Sequence, residues 1–599
     1  MKHFLTQLKF LPASIKMVWQ ATPRWTSLWL ALVLIQGVLP VATVYITKRI
    51  VDDFSEVASA GSVTLTSLQP ALFSILLMAV ILMTAAALKS LNQWVQTAQS
   101  ECVQDHIKDR IHTKAISLDL SFYENADFYD SLHRANVDAV HRPLSLIQSV
   151  GLIVQSIVTL SAMIVILTTY NAWLPPLLIL GSLPALYVAL KFSFWANRLR
   201  LQQTVQFRKS HYYSSVITER ESASESRLFS LGTYFRNKYR STRKKLRTEI
   251  IDLSKKQAIA EFIARVAGLV SMCGAIAWAS YSILRKGGSL GDLALIYQAF
   301  NQGQQLMQTL LSNVRQLYVN LMFVDNLFSF LNIQSKIAEP LYPAQQAKTL
   351  EKEIVLNNVS FRYPGSKQQS LNDFNLNIPA GKITAIVGAN GAGKSTLIKL
   401  LTRLYDANDG EILIDGECIK SIPIDQLRSM YTTMFQTPVR YQMSAFQNIS
   451  ISKWNDNATQ LQIEEAAADS GAHHPINKLP NEYETVLGKL FGGSDLSGGE
   501  WQRIALARAF LRKSAVVLLD EPTSQMDSWA EAKWMQRFRH LVDGQTAVII
   551  THRFTTALKA DMIHVMHNGN ITESGTHSEL VNAGGRYMES WNKQISAHQ

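Results

Sequence analysis

The segment Gly388-Ala-Asn-Gly-Ala-Gly-Lys-Ser395 has the residue types and spacing to do chemistry on phosphate. Gly388, Gly391 and Gly393, with Asn390 among them, let backbone N–H groups curl around phosphate oxygens. Lys394 can reach the β- and γ-phosphates, and Ser395 offers a hydroxyl to Mg²⁺. Thr396 opens a helical run to Leu404, whose N-terminus adds a partial positive charge where anions sit. Further on, Ala515-Val-Val-Leu-Leu-Asp520 reads as a buried parallel strand ending in a carboxylate. Ligands of such sheets lie at the carboxyl ends of the strands. Asp520 is therefore placed to hold Mg²⁺, directly or through water. Glu521 follows it, either orienting and deprotonating an attacking water or standing as a solvated acid at a strand end. The pattern implies a nucleoside triphosphate bound with Mg²⁺.

The elements that must position these groups are short β-type runs, Ile354–Phe361, Leu371–Ile378 and Ile383–Val387, the last leading directly into the glycine loop. Residues 351–599 are thus expected to form an α/β P-loop domain. A linker over 336–350, marked by Pro340 and Pro343, precedes it.

Residues 1–335 read differently. Of the 599 residues 47% are hydrophobic and 17% charged, against about 25% charged in an average soluble chain. The deficit is concentrated between residues 25 and 330. Charge-poor apolar runs of about 20 residues cross the hydrocarbon core as helices. Six are expected, over about 25–47, 70–88, 146–170, 174–191, 266–284 and 293–314. No Asp, Glu, Lys or Arg occurs from Pro143 to Leu190. The fold class is thus a six-span α-helical transmembrane bundle with long cytoplasmic helical extensions, followed by the α/β domain. Lys and Arg crowd the loops between spans two and three and between spans four and five, which places those loops and both termini in the cytoplasm. Much of the excess positive charge behind the net +12 is therefore expected where anionic lipid would hold it, which weighs against nucleic acid as a partner. Three scattered cysteines give neither a disulfide framework nor a zinc site.

The sixth span is rich in amides. Gln298, Asn301, Gln305, Gln308 and Ser312 fall on one helical face, with Gln302 close by. Such a face avoids lipid. It either bonds other helices or lines a polar passage, in which case Gln298, Asn301, Gln302, Gln305 and Gln308 are candidate cargo contacts.

The run Leu496-Ser-Gly-Gly-Glu-Trp-Gln-Arg-Ile-Ala-Leu-Ala-Arg-Ala-Phe510 closely resembles the signature of ATP-binding cassette (ABC) proteins. With the glycine loop, the strand–acid motif and six spans ahead of one cassette, the whole chain resembles an ABC exporter half-transporter. The resemblance implies a dimer, most simply a homodimer, in which each ATP lies between the glycine loop of one cassette and the signature of the other. Ser497, Gly498 and Gly499 would then meet the γ-phosphate across the interface. By the same resemblance Tyr363 stacks on adenine, and Gln436 senses Mg²⁺ and water. Asp527 matches the acid of the loop after the strand, and His552 the switch histidine at the γ-phosphate. Glu521 becomes the general base, and Glu500 replaces a commoner Gln. Asp119–Asp130 and Ser224–Gly232 resemble the loop tips that pass cassette motion to the membrane helices.

The Gly492–Phe510 stretch looks most like exporters of lantibiotics and related modified peptides in bacterial cytoplasmic membranes. A peptide or an amphiphilic compound is the expected cargo. A lipid flippase or multidrug exporter on the same scaffold is the alternative, and an ATP-gated channel or regulator is further removed.

Overall fold

A computed structural model of the chain describes residues 9–59, 64–125, 132, 142–286, 288–340, 350–524, 526, 528–542 and 544–596. It divides into two compact units. One is Met1–Ser117 with Asp127–Ile333, and the other is Leu118–Ala126 with Gln334–Gln599.

The first unit is helical. Among the described residues, five helices are long and apolar enough to cross a membrane: Pro23–Ser59, Leu65–Ile116, Ser145–Tyr170, Leu174–Arg200 and Gly232–Tyr281. A sixth, Leu290–Leu331, has the length at 42 residues. Its amides keep it out of the set that qualifies on composition. The fourth and fifth apolar stretches continue into helices Leu174–Thr218 and Gly232–Lys286. The latter has 55 residues and is about 80 Å long, far more than the roughly 30 Å of a hydrocarbon core. A short helix, Arg220–Leu228, lies between these two, with Leu228 and Phe229 exposed at its end.

Polar groups stitch the helices together where apolar packing alone would leave register free. Thr159 Oγ1 donates to Gly37 O at 2.6 Å, and Ser271 Oγ donates to Leu177 O at 2.9 Å. Lys48 Nζ meets Asp292 Oδ1 at 2.6 Å and donates to Tyr170 OH at 3.1 Å. Asp292 also completes a capping box with Ser289. One carboxylate thus fixes the start of the sixth helix and ties it to two others.

The second unit carries two sheets. The smaller has the order β2-β1-β4-β5 and is antiparallel: β1 Glu353–Phe361, β2 Leu371–Pro379, β4 Asp409–Ile414 and β5 Glu417–Cys418. The larger has the order β10-β9-β3-β8-β7-β6. Its strands are β3 Ile383–Gly388, β6 Tyr431–Met434, β7 Val516–Asp520, β8 Thr546–Thr551, β9 Met562–His567 and β10 Asn570–Gly575. All neighbours in it are parallel except β9 and β10. β3, β7 and β8 are buried nearly throughout, as a sheet covered on both faces requires. Parallel pairing brings the carboxyl ends of β3, β6, β7 and β8 to one edge, and the candidate site stands there.

Leu118–Ala126 belongs to this unit although it is far away in sequence. The Asp119 carboxylate accepts from Ser335 Oγ and from the backbone N–H groups of Lys336 at 2.6 Å and Ile337 at 3.3 Å. Glu124 pairs with Lys399 Nζ at 2.7 Å and accepts from Tyr405 OH. The remainder of the Asp119–Asp130 tip lies outside the described residues.

Candidate nucleotide site and helix cavity

The glycine loop follows β3 and ends in the helix Lys394–Leu401, capped by Gly393 at φ 101°. That left-handed conformation costs a side chain dearly, and a Cβ there would sit 2.6 Å from Ser370 O. At Gly388 a Cβ would lie 2.2 Å from Met566 O on the neighbouring strand. The loop can therefore lie this close to the sheet only with glycine at both places. Asn390 and Gly391 form its turn, with Gly391 at φ 81°. Lys394 Nζ donates to Gly388 O at 2.7 Å and Ala389 O at 2.9 Å. The ammonium is folded back into the loop, where anionic oxygens would compete for it. Burial lowers its pKa, against the raising pull of Glu521 and Asp520.

Asp520 ends β7 and is buried. Burial raises its pKa, opposed by the hydroxyl hydrogen bond from Ser395. An ionised carboxylate this deep wants a cation. Ser395 and Asp520 together give hard oxygen donors of the kind Mg²⁺ takes, so the residues present fit that ion.

Glu521 sits at φ 50°, a conformation uncommon outside glycine. Its carboxylate accepts from Gln436 Nε2 at 3.0 Å and meets His552 Nδ1 at 3.0 Å. Gln436 follows β6 and His552 follows β8, so three strand ends converge on one carboxylate. Gln502 Nε2 donates to the Glu521 carbonyl at 3.0 Å, fixing its backbone. Sequence reasoning missed Gln502. Its only signal is its place in the signature run, one helical turn past Gly498.

Tyr363 packs edge-on against Phe361 and Tyr405 at 4.9 and 5.4 Å. Its hydroxyl pairs with Thr396 Oγ1 at 3.1 Å, and Lys399 Nζ lies 5.0 Å from its ring centre. Ser497, Gly498 and Gly499 begin the helix Gly498–Arg512. Ser497 donates its N–H and its hydroxyl to Glu500, both at 2.8 Å. Glutamate at this third helical position closes a capping box and suits the positive helix end. The Ser497 hydroxyl is thus engaged within its own turn. Asp527 lies outside the described residues.

In the first unit a cavity of about 450 Å³ lies among three helices. Gln305, Gln308 and Ser312 of the amide face line it, joined by Glu261, Arg265 and Arg315. Charged side chains thus stand beside the amides in this cavity. Among the described residues, Gln298 and Gln302 have side-chain oxygens buried without a hydrogen-bond partner. Gln304 bonds another helix through Gly268 O at 2.8 Å, so the amide-rich helix both packs and lines space.

Residues 26–307 match the ABC transporter transmembrane region, and residues 371–524 match the ABC transporter family. The subtilin transport ATP-binding protein of Bacillus subtilis is 28% identical, covering 97% of this chain and 93% of its own. The nisin transport ATP-binding protein of Lactococcus lactis subsp. lactis is 26% identical, over 98% of this chain and 96% of that protein. The structure of a bacterial Atm1-family ABC exporter with ATP bound superposes with a TM-score of 0.84 at 22% identity, covering 96% of this chain and 99% of that one.

Proposed function

The chain belongs to the ABC transporters, as a half-transporter that binds and hydrolyses ATP, and from that premise we propose that it exports a peptide or amphiphilic compound across a bacterial cytoplasmic membrane by alternating access. The observation that carries the reading is the Glu521 carboxylate, held at 3.0 Å by both Gln436 and His552 at the strand edge that also presents Asp520 and the glycine loop. A carboxylate so held can take a proton from an attacking water, with His552 and Gln436 setting its direction. Lys394 leaves the loop carbonyls for the β- and γ-phosphates. Ser395 and Asp520 would hold Mg²⁺, which when bound would supply positive charge to the phosphates. Phosphoryl transfer needs little beyond such positioning and charge.

Tyr363 takes the adenine. Ser497, Gly498, Gly499 and Asp527 act across a homodimer interface, since one chain carries the full set. Engagement of a partner's ATP would draw the Ser497 hydroxyl from Glu500. The cavity lined by Gln305, Gln308, Glu261, Arg265 and Arg315 is the cargo wall, and the helix Leu290–Leu331 is the sixth span. Lys and Arg placement supports cytoplasmic termini. Peptide is favoured over lipid because two relatives aligned along nearly the whole chain are named for subtilin and nisin transport.

The test is ATPase activity in lipid nanodiscs, titrated with a lantibiotic-type modified peptide. Saturable stimulation at low micromolar peptide, absent in Glu521→Gln, is expected. Turnover that lipid composition moves and peptide does not would replace the peptide with a lipid cargo.

A further inference from the structure

The C-terminal helix Arg586–Ser596 is anchored at its start and ends on the switch segment. The two carboxylate oxygens of Glu573 accept from the N–H groups of Arg586 at 2.6 Å and Tyr587 at 3.0 Å. Tyr587, Trp591 and Gln594 are spaced four and three apart, so they share one helical side. Tyr587 is fully buried, its ring edge-on to Phe554 at 5.1 Å. Trp591 packs on His577 at 4.8 Å. The third residue of this side is an amide, and both its ends go to one backbone segment. Gln594 Nε2 donates to His552 O at 2.8 Å, and Phe554 N–H donates to Gln594 Oε1 at 2.8 Å.

An amide in a packed face costs desolvation unless both ends are satisfied. Here they are satisfied by the residues on either side of Arg553. The Arg553 guanidinium in turn pairs with Glu531 and donates to the carbonyls of Ser524 and Met526. The segment that carries His552 is thus gripped from two directions: by Gln594 on its backbone, and through Arg553 by the chain that follows Glu521. The His552 imidazole can meet Glu521 at 3.0 Å only while that backbone stays put.

We propose that Gln594 is a positioning residue for ATP hydrolysis: its amide clamps the His552–Phe554 backbone and so keeps the His552 ring on the Glu521 carboxylate. The proposal rests on the roles given above to Glu521 and His552. Gln594 is offered no contact with the nucleotide, so its loss should slow turnover and leave ATP binding alone.

The experiment uses the full-length protein in nanodiscs and the variants Gln594→Met and Gln594→Glu. Methionine keeps length and packing and loses both bonds. Glutamate still accepts from Phe554 and loses the donor to His552. Methionine should lower kcat about tenfold, equivalent to about 1.4 kcal/mol of transition-state stabilisation, with KM for ATP and the thermal midpoint close to wild type. In a His552→Ala background the same change should add almost nothing, as coupled residues do. Unchanged kcat in Gln594→Met overturns the clamp. So does a fall in kcat that tracks the thermal midpoint, or one that persists in full without His552. If the methionine variant does not assemble, the glutamate variant is judged by the same outcomes. A wild-type protein whose turnover is indifferent to Glu521→Gln would overturn the reading of the site itself. Normal Glu521-dependent turnover with an indifferent Gln594 would overturn the clamp alone.

Discussion

The two units solve the placing of polar groups in opposite ways. In the cassette a few side chains converge on one point from several strand ends, and each is held by named neighbours. Gln436, His552 and Gln502 all act on Glu521, and two glycines fix the loop beside it. In the helical unit polar groups are spread along rods. Some stitch helices together, some line a cavity, and among the described residues the Gln298 and Gln302 oxygens are buried with no partner. Strand ends brought together by a sheet can aim groups at a single atom. Helices packed side by side present a wall. A reacting phosphate needs the first arrangement, whereas a cargo gripped over a broad surface can use the second.

Single substitutions should therefore hurt most in the cassette and least along the wall. Glu521→Gln should cut turnover roughly 10²–10⁴-fold, the usual reach of a general base, with ATP binding retained in an equilibrium binding assay. Near-normal turnover would remove Glu521 as the base and with it the contrast. Next comes a test of how finely the cassette depends on its buried polar groups. His564 is buried beside Ser574 Oγ at 2.8 Å, and burial lowers its pKa to about 4. The folded state prefers the neutral ring, while the unfolded chain takes up a proton below its ordinary value near 6.5. The resulting stability, of about 3 kcal/mol, is present above about 6.5 and drains away as pH falls towards 4. His564→Gln should flatten the thermal midpoint over that range.

Lys394→Ala should weaken ATP binding by about 10–100-fold, following the 1.5–3 kcal/mol of hydrogen bonds to charged groups. The smallest effect belongs to the wall. Gln308→Ala should change cargo stimulation of the ATPase by about twofold and leave basal turnover alone, since one neutral hydrogen bond among many contacts is worth about 1 kcal/mol or less. Abolished stimulation from that one amide would mean the cargo site is as focused as the ATP site.

The same contrast decides how much of the molecule is legible in its sequence. The glycine loop is legible because backbone geometry dictates residue type at fixed spacing. Asp520 is legible because an unbroken apolar strand points to its last residue. Position alone does not tell whether Glu521 is a base or a solvated acid. The groups that hold it arrive from positions 436, 502 and 552, and only the sheet and the helix packed on it bring those together. Five of the described helices coincide with apolar runs, because lipid taxes every polar residue in them, whereas Gly232–Lys286 extends far beyond its run and Leu290–Leu331 is rich in amides. The cavity is half legible. The amide face points to Gln305, Gln308 and Ser312, but Arg265 looks like the end of a span, and Glu261 like part of a solvated helix. Helical periodicity describes one rod at a time, and the cavity needs three. The engaged hydroxyl of Ser497 is hidden as well, since a capping box and a phosphate contact call on the same serine.

One consequence follows from the placement of Leu118–Ala126 with the cassette. Glu124 answers Lys399 and Tyr405 there, and Asp119 answers the chain at Ser335–Ile337. These residues lie between the long helices in sequence but pack with the cassette. A hybrid that exchanged everything after residue 333 would leave behind a piece of the engine it meant to replace. An exchange of the helices would keep these contacts only if the short stretch travelled with its cassette, and a change at position 124 would have to be answered at 399 or 405.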